Sequence, residues 1–129
     1  MVNKADTTIT ITNAASLTSI PTVVNQPYAV NWTVAANAPS TSPPPTLTGN
    51  MTVSDGTGGT CTAAIAAGTC SVTSTSPGSK TITVSYSGDT NFNAAPNATT
   101  THTVNQANTT TTITSFVGLT WHEVLMPVL

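Results

Sequence analysis

The segment Val2-Asn3-Lys4-Ala5-Asp6-Thr7-Thr8-Ile9-Thr10-Ile11-Thr12 returns as Val104-Asn105-Gln106-Ala107-Asn108-Thr109-Thr110-Thr111-Thr112-Ile113-Thr114, in the same order, 102 residues later. A self-similarity at fixed period constrains a chain strongly, because each copy must take up the same structural place. Two copies of a short segment therefore bracket one complete unit and open a second. On this reading residues 1–6 are a linker and 7–104 one module. Residues 105–114 are the linker and first strand of a next repeat, and 115–129 an apolar tail. The chain has 129 residues, room for one ordinary domain with its own core and too few for two.

Between the copies the chain alternates apolar and polar residues in short runs separated by turn signals. Ile9 and Ile11 share one face of Thr7–Asn13. Tyr28, Val30, Trp32 and Val34 share a face of the next run, then Leu47, Gly49, Met51 and Val53. Asp55-Gly56 and Gly58-Gly59 turn the chain. Thr60–Ile65 and Thr69–Thr75 flank Ala66-Ala67-Gly68 as a hairpin. Ile82, Val84 and Tyr86 face one way in Lys80–Tyr86, and Thr99–Val104 closes the unit. No helical period appears. Threonine, close to a quarter of the chain, favours strands through its branched Cβ. The expected fold is all-β: a seven-stranded immunoglobulin-like sandwich with a C-terminal extension, since one such sandwich takes about 100 residues.

Charge is scarce: Lys4, Lys80, Asp6, Asp55, Asp89 and Glu123 are the whole complement. Two cations cannot track a phosphate backbone or hold an anionic membrane surface, so neither partner is expected. No apolar run approaches the ~20 residues of a spanning helix. The opening residues lack the apolar core of a signal peptide, so Met1 reads as a fragment start.

Several pieces together resemble the bacterial Ig-like repeat domains of large surface proteins and adhesins. They are Val2–Thr12, Val24-Asn25-Gln26-Pro27, Gly49–Gly56, Cys61–Cys70 and Tyr86-Ser87-Gly88-Asp89-Thr90-Asn91-Phe92. The last is the most specific. The resemblance covers Val2–Thr114 and implies a two-sheet sandwich in a spacer or adhesive stalk. Asn25 stands where the family usually carries glycine, and asparagine tolerates the left-handed backbone expected there.

Cys61 and Cys70 lie on the expected hairpin, where facing Cβ atoms come within disulfide reach. A redox or metal role would call for CxxC spacing or nearby histidines. A disulfide places the chain in an oxidising compartment, outside the cell or on its surface. Asp89, Asn91 and Asn93 could be read as a calcium loop, but one carboxylate is too few. A structural turn built by Tyr86, Gly88, Asp89, Asn91 and Phe92 is the expected alternative. His122-Glu123 lacks the second histidine of a zinc protease, position 126 being Met126. His102 has no partners in sequence. Neither Lys4, in the linker, nor Lys80, opening a strand, is placed for an isopeptide staple. With no catalytic motif, no enzyme activity and no cofactor are expected.

Three functions are compatible with this reading. One is a non-catalytic extracellular spacer module whose partners are neighbouring repeats. Another is a self-assembling subunit that exchanges Thr109–Thr114 into another copy, with Thr109, Thr111, Ile113, Phe116, Val117 and Trp121 in the contact. The third is a carbohydrate-binding module, for which Trp121 is the one aromatic not assigned to the interior.

Overall fold

A computed structural model describes residues 3–37 and 46–114. Eight strands form two sheets. In the smaller, β1 (Thr7–Ile11) and β6 (Thr69–Thr73) flank β3 (Pro27–Ala36), all antiparallel. The larger runs β2 (Thr22–Val23), β8 (Ala98–Asn105), β7 (Gly78–Tyr86), β4 (Asn50–Ser54) and β5 (Thr60–Ala64). Among the described strand pairs only β2–β8 is parallel.

Period-2 alternation sends one face of each strand inward. Register then places Ile9 opposite Val34 and Val30 opposite Cys70 in one sheet, and Val53 opposite Val84 in the other. Val30, Met51, Val53, Val72, Ile82 and Val84 are fully buried between the sheets, joined by Tyr28, Trp32, Tyr86 and Phe92.

Three features differ from the sequence reading. The eighth strand is β2, too short to show a pattern. A helix, α1 (Ala14–Ser19), carries the chain from β1 in one sheet to β2 in the other. Its only buried residue is Leu17, so it has no apolar period to read. Asn13, ahead of it, does not cap it; its side chain accepts from the Asn31 amide and donates to the Ala29 carbonyl. Finally, Thr60–Ile65 and Thr69–Thr75 are not a paired hairpin. A short 3₁₀ turn, Ile65–Ala67, separates β5 from β6, and the two strands lie at the edges of different sheets. Gly68, at φ 69°, makes that corner possible.

β7 and β8 run the length of the module, from Gly78 opposite Val104 to Val84 opposite Ala98. The loop after Tyr86 therefore lies at one pole and Asn105 leaves at the other. The N-terminal segment enters at the first pole, where Ala5 bridges Phe92.

Candidate functional site

The entry pole is organised by Asp89. Oδ1 accepts from the Asn91 amide (2.7 Å) and the Phe92 amide (2.8 Å). Oδ2 accepts from the Thr48 amide (2.9 Å) and hydroxyl (3.0 Å). Burial alone would raise this carboxyl, but those hydrogen bonds outweigh it and hold its pKa at about 2. Both oxygens are thus engaged by protein donors, which is the chemistry of a turn rather than of a cation loop. Gly88, at φ 84°, brings its backbone so close to Phe92 that a Cβ would sit 2.6 Å from the Phe92 carbonyl oxygen. Phe92 plugs the core at 1% exposure, and the Tyr86 hydroxyl donates to the Thr48 carbonyl.

This loop forms the seat of the N-terminal segment. The Ala5 amide donates to the Asn91 carbonyl (3.0 Å), and the Asn93 amide donates to the Ala5 carbonyl (2.8 Å). Lys4 Nζ donates to the Asp89 carbonyl (2.8 Å) and Asn93 Nδ2 to Asp6 Oδ1 (2.8 Å). The buried Thr7 hydroxyl donates to the Asn93 carbonyl (2.9 Å). Residues 4–7 are thereby fixed, Ala5 through its backbone and Lys4, Asp6 and Thr7 through their side chains, as the chain enters β1.

The exit half holds a second aspartate. Asp55, 1% exposed, accepts on Oδ1 from the Thr57 amide (2.7 Å), the Thr57 hydroxyl (3.1 Å) and the Gly59 amide (2.9 Å). Ser74 donates to Oδ2 at 2.6 Å. That uses the one Ser74 proton, so the Tyr28 hydroxyl donates to Ser74 (2.9 Å). Desolvation pushes the Asp55 carboxyl up, but the donors from Ser74, Thr57 and Gly59 more than reverse it, and the net direction is down. Burial raises the Tyr28 phenol, and the Asp55 charge adds to the rise.

Lys80 and His102 extend this cluster. They are register partners on β7 and β8, at 3% and 1% exposure. Lys80 Nζ donates to the hydroxyls of Thr57 (2.9 Å) and Ser76 (2.8 Å). It is buried, as an isopeptide lysine would be, yet both contacts are hydroxyls and no carboxamide is among them. The His102 ring packs on Tyr28 with centroids 4.1 Å apart. Its Nδ1 donates to the Leu17 carbonyl (2.8 Å), which in the neutral ring leaves Nε2 to accept from the Thr22 hydroxyl (2.8 Å). His102 thus fastens α1 and β2 to the sheet. Among the described residues no buried side-chain polar atom lacks a partner.

Cys61 and Cys70 form a disulfide across 6.2 Å between Cα atoms, and it joins the two sheets rather than two paired strands. Asn25 does adopt the left-handed backbone, at φ 66°. Thr109, Thr111 and Ile113 are exposed and outside any strand. Phe116, Val117, Trp121 and His122-Glu123 lie outside the described residues. Every aromatic side chain among the described residues is in the core. Among those residues no cluster of His, Cys, Asp or Glu suits a metal ion, and no helix is long and apolar enough to cross a membrane.

The Asp55-Gly56 turn signal does not reveal that Asp55 is buried, and nothing beside Lys80 or His102 in the sequence marks either as part of a cluster. A signal existed for two of them. Lys80 is in phase with Ile82, Val84 and Tyr86, and His102 with Val104, so alternation alone turns both inward. Both poles share one device, an aspartate gathering loop amides.

Two antiparallel-rich sheets closed over one apolar core, with chain entry and exit at opposite poles, define an immunoglobulin-like sandwich. The chain belongs to the family of bacterial Ig-like domains (group 3), whose model matches residues 15–105. No curated protein and no solved structure matches the chain significantly.

Proposed function

We propose that this chain supplies a non-catalytic structural module of a tandem-repeat protein displayed outside the cell, where it spaces other parts of the molecule. The observation that carries the reading is the pairing of opposite-pole entry and exit with the sequence repeat. A chain that enters at one end and leaves at the other advances with each module instead of doubling back. The nine-residue β7 alone spans about 30 Å. The Cys61–Cys70 bridge fits an oxidising compartment, and the described polar groups of the two poles are bonded to backbone or to one another.

Pulling a concatenated chain should give one unfolding peak per module. Each should release about 300 Å, from the 102-residue period at ~3.4 Å per residue less the folded length. Smooth extension without peaks would count against a load-bearing spacer.

A second reading, strand exchange between copies, is favoured by one observation. Thr109, Thr111 and Ile113 are exposed, whereas their first-copy counterparts Thr7 and Ile9 are buried and Ile11 is half-buried. Exchange would have to displace the β1 already seated, and Thr111 would replace the buried Ile9. Light scattering on a chain lacking Thr109–Leu129 decides the matter. Oligomers of the full chain should become monomers on truncation, and an unchanged mass on truncation removes this reading.

A further inference from the structure

The exit pole and the repeat together specify how two modules join. β8 ends at Asn105, whose carbonyl accepts from the Val24 amide at 3.0 Å. At the 102-residue period Asn105 corresponds to Asn3, Gln106 to Lys4, Ala107 to Ala5, Asn108 to Asp6 and Thr109 to Thr7. Each polar contact of the first copy has a chemically matching group in the second. The Gln106 amide can donate to a carbonyl as the Lys4 ammonium donates to that of Asp89. Asn108 Oδ1 can accept from an Asn93 amide as Asp6 Oδ1 does. The Thr109 hydroxyl repeats that of Thr7. The backbone bonds of Ala5 need only a backbone at Ala107.

Past the strand the correspondence in sequence is confined to one pair of positions, the rest of 115–129 departing from 13–27. Leu17 and Thr18 return as Leu119 and Thr120 at the same period. Leu17 is the one buried residue of α1, and the Thr18 hydroxyl donates back to the Ala14 carbonyl, so these are the positions a second α1 would need.

We propose that Asn105–Thr114 is the docking segment of a following Ig-like module of the same kind, and that the two modules share no free linker. The inference rests on the tandem-spacer reading and specifies its joint. One residue, Gln106, lies between the carbonyl anchored in the first module and the Ala107 amide anchored in the second, and its own side chain has a carbonyl to bind. The joint therefore fixes the angle between modules. It also sets Val23, register partner of Asn105 and 39% exposed, beside the next module's Asp89–Asn93 loop. An apolar side chain exposed at the exit pole then has a surface to cover it.

The test is a tandem chain of residues 1–114 followed directly by residues 13–129, so that Asn105–Thr114 serves as the first strand of the second unit. Two folded modules should tumble as one body, with a rotational correlation time roughly twofold or more that of the single chain, since tumbling time follows volume. Inserting Gly-Ser-Gly-Ser after Gln106 should return it toward the single-chain value. Two folded modules that tumble no more slowly than the inserted version overturn the rigid joint. A second module that stays unfolded, both as built and with Thr111→Ile to restore the apolar residue of Ile9, overturns the docking role. Folding only with Thr111→Ile overturns it for the native segment. None of these outcomes touches the spacer reading, which the pulling experiment decides separately.

Discussion

Replacing Asp55 by alanine is expected to destabilise the module by about 3 kcal/mol, because it orphans the buried Ser74 hydroxyl and Gly59 amide together. The loss reaches further than the turn. Ser74 loses its acceptor, so its hydrogen bond with Tyr28 loses its fixed direction, and Lys80 is left buried on a Thr57 hydroxyl that no longer reaches the Asp55 carboxylate. Asp55→Asn keeps the shape and one acceptor and should lose about half as much. Gly59→Ala attacks the same cradle from outside, since its Cβ would stand 2.5 Å from Asp55 Oδ2. Asp55 titrates below its ordinary 3.8 when folded, so its contribution is fully present above that value and fades as pH falls through the lower folded one. Asp89 behaves likewise, fading toward about 2. Urea midpoints of the native chain should therefore hold from neutrality down to about pH 5 and fall below it. The Asp55→Ala chain should start lower and lose less on acidification. An alanine variant within about 0.5 kcal/mol of the native chain, with the same acid limb, would show that the cluster contributes nothing net.

The sandwich was legible because its strands are buried on one face, and alternation survives in every long one: Tyr28, Val30 and Trp32 on β3, Ile82, Val84 and Tyr86 on β7. The turn at Asp89 could be read for a related reason, since Gly88 and an aspartate ahead of short amides form a local unit. What escaped was non-local or small. α1 has six residues and buries one, below the threshold of any period, and β2 has two. The hairpin error has the same root. Thr60–Ala64 and Thr69–Thr73 lie close in sequence, but each pairs with a different strand, β4 or β3, and nothing in a four-residue connection announces a change of sheet. The polar cluster was hidden by a habit of composition. Lysine and histidine are taken as surface residues, although here their phase on β7 and β8 points both into the interior.

Removing the disulfide, with Cys61→Ser and Cys70→Ser together, is expected to lower stability by about 2.5 kcal/mol, the chain-entropy value for so short a loop. The place of the loss follows from topology. Cys61 sits on β5 opposite Val53, and Cys70 on β6 opposite Val30; β5 and β6 are edge strands of different sheets, with no ladder between them. The bridge clamps one open edge of the sandwich. The opposite edge is closed differently, by α1 with Leu17 buried and its carbonyl held by His102. Amide exchange in the serine variant should therefore rise first along β5 and β6, each of which has a partner on one side only, while β7 and β8 keep their protection. Under force the same variant should release about 25 Å more per module. That is the extended length of the nine-residue separation at ~3.4 Å each, less the 6.2 Å bridged by the cystine. A uniform loss of protection across both sheets would mean that the bridge carries no local clamp at this edge and that core packing alone holds the sheets together, and an unchanged length increment would mean that the two cysteines are not joined in the native chain.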